Sequence, residues 1–126
     1  MVIGTDAANT LIPEMKRYLQ TAQDFDIFVF FVLWNGALMR NDKVKQLFYN
    51  ETKLQSYIDK VLIPMAVGLG DEPALGGWEI MNEPEGSVRI QSDSEPCFST
   101  DFLKGSGAGW AKTDIPMRNL QKFVNW

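Results

Sequence analysis

The chain has 126 residues, 45% hydrophobic and 22% charged, within the range of one globular domain. Its 12 Lys and Arg against 16 Asp and Glu give an acidic balance, which argues against an electrostatic nucleic-acid surface. There is no His, so a Ser-His-Asp or Cys-His triad and the commonest zinc ligand are absent, and carboxylates are the natural proton-transfer groups. A single cysteine, Cys97, excludes an internal disulfide and a Cys-rich metal site; no metal or cofactor is expected.

Met1-Val2-Ile3-Gly4 lacks a basic n-region and a long apolar h-region, so no secretory signal peptide is read there. Asp6 to Thr10 is polar and turn-like, with Asn9 or Thr10 as a helix start and Pro13 in the first turn. Leu11, Met15, Tyr18, Leu19, Ala22 and Phe25 then recur at helical spacing, with Glu14, Lys16, Arg17 and Gln20 on the other side. Ile27 to Trp34 follows, eight apolar residues without alternation, which predicts a strand buried on both faces. That run is too short to span a bilayer, and no membrane partner is expected.

Asp42 to Tyr49 reads as a short helical segment. Asn50 is the expected N-cap of a longer helix with Leu54, Tyr57, Ile58, Val61, Leu62, Met65 and Leu69 on one stripe. Pro64 should kink it, and Gly68 and Gly70 should stop it. A second strand is expected over Gly77 to Asn82. Helix, buried strand, helix, strand is the grammar of a parallel α/β sheet.

Glu85 to Ile115 is a loop of about thirty residues, a length that is usually functional or disordered. Its Gly105-Ser106-Gly107-Ala108-Gly109 run has neither a preceding strand nor the spacing of a dinucleotide loop. Asp114 is the expected cap of a last helix with Met117, Leu120 and Val124 on its apolar face, running to Trp126. No internal repeat or domain boundary is visible.

Chemistry concentrates in Gly77-Trp78-Glu79-Ile80-Met81-Asn82-Glu83-Pro84-Glu85-Gly86. Pro84 ends the strand, so Glu83 is presented where strand becomes loop, the place where barrels of parallel strands keep their catalytic groups. Taken alone, these residues fit a strand running into a polar turn equally well. Trp34 and Trp110 offer flat apolar faces suited to a pyranose ring, and Asn35 is placed to bind a hydroxyl or to cap its turn.

The longer context adds a resemblance. "WEIMNEPEG" resembles the acid/base strand of glycoside hydrolase family 5, in particular the endo-β-1,4-mannanases of molluscan type. "FVFFVLWNGALMRN", "KLQSYIDKVLIPM", "PALGGWEIMNEPEGSVR" and "GSGAGW" with a following "IPM" resemble successive parts of one such enzyme, in order. The resemblance implies a portion of a (β/α)8 TIM barrel, about two strand-helix units with parallel strands. A whole barrel takes roughly 250 residues, so residues 1–126 are expected to be a partial catalytic domain and an incomplete barrel.

The resemblance further implies endo-acting hydrolysis of β-1,4-mannan by two carboxyl groups about 5–5.5 Å apart with retention. Glu83 matches the family acid/base, and Asn82 the residue that binds the sugar 2-hydroxyl; Trp34, Asn35 and Trp110 are the further substrate-binding candidates. The nucleophilic glutamate of the family's seventh strand has no match here, nor have an arginine of an earlier strand and later aromatic and histidine contributors. Glu79 is read as a barrel-interior carboxylate paired with a cation, and Glu85 as lying on the same side of the cleft as Glu83. The family is secreted, which leaves export to be expected from resemblance, and Cys97 either a free thiol or paired outside this chain. A catalytically inactive chain that binds sugar weakly, or self-associates through open strand edges, is the alternative.

Overall fold

The computed structural model describes residues 7–36, 39 and 41–125. The expectations for Met1 to Asp6 and for the last helix at Trp126 lie outside the described residues. In chain order the elements are helix α1 (Ile12–Asp24), strand β1 (Val29–Asn35), helices α2 (Asp42–Tyr49), α3 (Glu51–Tyr57) and α4 (Ile63–Leu69), strand β2 (Leu75–Asn82) and helix α5 (Met117–Asn125). The two strands are parallel neighbours in one open sheet, the α/β arrangement expected. The chain divides into two compact units, residues 1–31 with 55–78 and residues 32–54 with 79–126.

In the first unit α1 buries Ile12, Leu19 and Ala22, and α4 buries Met65 and Leu69. A wide π-type turn over Ala7–Leu11 leads into α1, so helical structure begins earlier than Asn9. Gly68 does not stop a helix. It lies inside α4, where a Cβ would stand 3.0 Å from Ile12 Cγ2, and its missing side chain lets α1 come close. The stop falls at Gly70. Pro64 sits in the first turn of α4, directly after a π-type turn over Ile58–Leu62 in which the Ile63 N–H reaches back to the Ile58 carbonyl. A proline lacks the N–H for an interior helical bond, and the widened turn lets the chain continue past it.

β1 differs from its expectation in one informative way. It begins at Val29, and its burial alternates: Phe30 is 59% exposed and Val32 46% exposed. Alternate side chains of a strand point to opposite faces. Phe31 meets Tyr18 of α1 at 6.3 Å and Trp78 at 5.6 Å between ring centroids, so among the described residues α1 covers the Phe31 face while Phe30 and Val32 stay exposed. Trp78 is therefore a packing residue. On the other face the Phe30 ring lies across β2, where a Cβ at Gly76 would come within 2.7 Å of it. β2 accordingly starts at Leu75, ahead of the glycines.

The second unit packs α2 and α5 together with the long connection. Phe48 and Phe123 stack with centroids 4.5 Å apart, and Asn119 Nδ2 donates to the Phe48 carbonyl at 2.8 Å. Asn50 caps α3 as expected, its Oδ1 accepting from Lys53 N at 3.1 Å. The buried face of α5 is Leu120 and Phe123, three residues apart, while Val124 is 43% exposed. Asp114 does not cap that helix. It pairs with Arg89 at 3.1 Å, and the Pro116 carbonyl takes the first helical N–H groups, from Asn119 and Leu120.

Candidate functional site

Because β1 and β2 are parallel, their C-terminal ends lie at the same edge of the sheet, and all five sequence-derived site residues fall in the second unit. Trp34 and Asn35 end β1; Asn82 ends β2 and Glu83 follows it. Asn35, Asn82 and Glu83 are exposed, and Trp34 is half-buried. Glu83 holds a left-handed backbone, φ 49° and ψ 55°, a conformation that a non-glycine residue rarely adopts. A 3₁₀ turn, Pro84–Gly86, turns the chain immediately afterwards: Gly86 N–H donates to the Glu83 carbonyl at 3.0 Å and Ser87 N–H to Pro84 at 3.0 Å.

Trp110 is brought to the same turn by backbone bonds. Gly109 N–H donates to the Glu85 carbonyl at 2.8 Å and Ala111 N–H to Gly86 at 2.9 Å. Between those two bonds the indole lies on Gly86, where a Cβ would stand 2.6 Å from its Cε2. Trp110 remains 45% exposed. Gly86 thus makes a seat for the ring, which rests on backbone there and stays part-exposed. Glu79, three residues before Asn82, is exposed among the described residues rather than enclosed.

The long connection is ordered by its own bonds. The buried Thr100 hydroxyl donates to the Arg89 carbonyl at 2.7 Å and accepts from Gln91 N–H at 2.9 Å, clipping the two ends of an excursion together. A parallel bridge joins Val88 to Ile115. Arg118 of α5 grips Asp93 through two hydrogen bonds of 3.0 and 2.6 Å and lies 4.0 Å above the centre of the Phe98 ring. Cys97 is a free, exposed thiol.

The Arg118 guanidinium, with help from the Glu95 N–H, pulls the Asp93 carboxyl down to about 2. A carboxyl lowered on folding contributes stability that is complete above its unfolded value of about 3.9 and lost as pH falls through the folded value. Between about pH 4 and pH 2 the Arg118–Asp93 contact should therefore release. Ring-current shifts of the Arg118 side chain over Phe98 report it by NMR. Asp93→Asn should remove that acid step; an unchanged step would assign it elsewhere.

Gly36, Gly86 and Ser87 were not among the sequence-derived site residues. Their only sequence signal is position: small residues directly after Asn35 and directly after the Asn-Glu-Pro-Glu run. Only the fold shows that they are places of close backbone approach.

Two parallel strands with helices packed beside them, and amide and carboxyl groups at the strands' C-terminal ends, make this an α/β fragment with an open sheet. No protein-family model matches the chain. It is 51% identical over 128 residues to the mannan endo-1,4-β-mannosidase of Mytilus edulis, an alignment covering 99% of this chain and 34% of that one. The structure of the Mytilus edulis β-mannanase superposes with a TM-score of 0.88 over 94% of this chain and 34% of its own. The endo-1,4-β-mannanase of Eisenia fetida gives 0.91 at 50% identity over 98% and 34%, and the β-1,4-D-mannanase of Cryptopygus antarcticus 0.92 at 41% over 100% and 35%. The chain is thus a mannan endo-1,4-β-mannosidase homologue, and it spans about a third of the length of the curated relatives it matches.

Proposed function

We infer that this chain supplies the acid/base part of a family 5 endo-β-1,4-mannanase working with retention. The observation that carries the reading is Glu83 at the C-terminal end of β2, in a chain half identical to the Mytilus edulis enzyme. In the first step the Glu83 carboxyl gives its proton to the departing glycosidic oxygen while a second carboxylate, from outside these 126 residues, attacks the anomeric carbon. In the second step Glu83 takes a proton from water as that water attacks the anomeric carbon and displaces the second carboxylate, releasing the sugar. Asn82 binds the 2-hydroxyl, Trp34 and Asn35 contact the sugar from the β1 end, and Trp110 offers a ring to stack on. Work on a polymer goes with a place outside the cell, which is part of this proposal.

The test is to complete residues 1–126 with the remaining two thirds of the Mytilus edulis enzyme and assay it on mannan, xylan and cellulose. New reducing ends from mannan, with the β-anomer formed first by NMR, are expected. Equal cleavage of the other polymers would remove mannan as the substrate, and an inverted product would remove the mechanism. A second reading, a non-catalytic chain that associates with its own copies through open strand edges, draws on the exposure of Phe28, Phe30 and Val32.

A further inference from the structure

We propose that Ser87 and Gly36 form a latch between the ends of the two strands, and that Ser87 is a positioning residue for Glu83. The inference rests on the acid/base reading above. Residues held in a left-handed backbone persist only where their surroundings impose it, and the surroundings of Glu83 are unusually well defined. Ser87 is fully buried and is held at three points. Its Oγ donates to the Gly36 carbonyl at 2.7 Å, across fifty-one residues of sequence. Its N–H donates to Pro84 at 3.0 Å, and its carbonyl accepts from Ile115 N–H at 2.9 Å.

Gly36 completes the contact from the other strand. A Cβ there would stand 2.6 Å from the Glu83 carbonyl oxygen, 3.2 Å from that of Asn82 and 3.1 Å from Ser87 Oγ. The backbone leaving β1 therefore rests directly on the carbonyls of the Asn82-Glu83 pair. No side chain is available to yield at the two carbonyl contacts. Ser87 thereby fixes Asn35, on one strand end, relative to Asn82 and Glu83 on the other. Its three hydrogen bonds all go to backbone groups, those of Gly36, Pro84 and Ile115, so it acts through the backbone that carries the candidate sugar-binding groups. The Gly36 carbonyl also accepts from Met39 N–H at 3.3 Å, so losing the Ser87 hydroxyl loosens the latch without leaving that oxygen bare.

A buried serine that merely supports the fold would lower all activities together; a residue that places the acid lowers selectively those that need a proton. A dinitrophenyl leaving group departs without protonation, whereas the sugar leaving group of a mannan oligosaccharide does not. In the completed enzyme, Ser87→Ala should lower kcat/KM on mannohexaose by about tenfold or more and leave kcat/KM on a dinitrophenyl β-mannobioside within about threefold, general acid catalysis being worth about 10²–10⁴. Equal losses on both substrates, or none, would overturn the latch. Glu83→Gln run beside it separates the two ideas: if that variant shows no contrast between the substrates, the acid/base reading itself falls.

The 126-residue chain gives a measurement that does not depend on turnover. Ser87→Ala should speed amide exchange at Gly86, which donates to the Glu83 carbonyl, by about tenfold relative to Leu69 in α4, as local opening without global unfolding does. Unchanged exchange at Gly86, or a variant that no longer folds, would assign Ser87 a structural role only.

Discussion

Replacing Glu83 by Gln in the completed enzyme should lower kcat/KM on unactivated mannan by about 10²–10⁴-fold, the range that a positioned proton donor contributes. The amide has nearly the shape of the carboxyl and no proton to give. The side chain is exposed at the end of β2, and glutamine has the length and branching of glutamate, so it adds no new strain to that left-handed backbone. Melting temperature should therefore hardly move while polymer turnover collapses. A near-native rate on mannan would remove Glu83 from the role, whatever the fold did.

The second large effect concerns the 126-residue chain by itself, which should not run as a monomer in light scattering. Phe28, Phe30, Val32 and Ile80 are 71%, 59%, 46% and 39% exposed. An aromatic side chain can bury about 150–250 Å², so covering this set removes on the order of 300 Å² from water. At roughly 25 cal/mol per Å² that is about 7 kcal/mol, of the same order as the 5–15 kcal/mol net stability of a domain. The run Phe28-Val29-Phe30-Phe31-Val32 carries no charge to discourage strand pairing either. Phe28→Lys and Phe30→Lys together should shift the distribution towards monomer. A sharp monomeric peak for the unaltered chain at all concentrations would contradict the expectation.

The same face explains what the sequence could and could not convey. Eight apolar residues from Ile27 to Trp34 mark a strand made for burial on both sides, and the helices flanking it are legible from their spacing. Which side these 126 residues cover is not written in that run; it depends on where α1 lays Tyr18. Asn50 announces itself as a cap because its side chain acts locally, three residues ahead. Gly68 misleads for the converse reason: a glycine near a helix end usually signals a stop, and only the neighbouring Ile12 reveals a close packing point. Asp114 misleads similarly, since its partner Arg89 lies twenty-five residues away.

At the site, Asn82 and Glu83 are legible because a proline ends their strand and a longer motif surrounds them. The latch is not. A serine and a glycine have no periodicity and no characteristic spacing, and their meeting across fifty-one residues exists only once two strands lie side by side. Trp110 stands between these cases, its ring conspicuous in a polar stretch and its seat on Gly86 invisible there.

The tip of the long connection carries a consequence for how such chains diverge. Gly105 and Gly107 have positive φ values of 78° and 88°, and a Cβ on either would meet nothing within 4 Å. Those glycines serve the path of the chain and leave its surroundings free. The tip hangs between two firm anchors, the Thr100 clip on one side and the Gly109 to Glu85 bond on the other. Insertions and deletions accepted there alter neither anchor, so natural variation can lengthen or shorten the reach of this loop while Glu83 and Trp110 keep their places. Diversification of length and preservation of chemistry are thereby assigned to different stretches of the same connection.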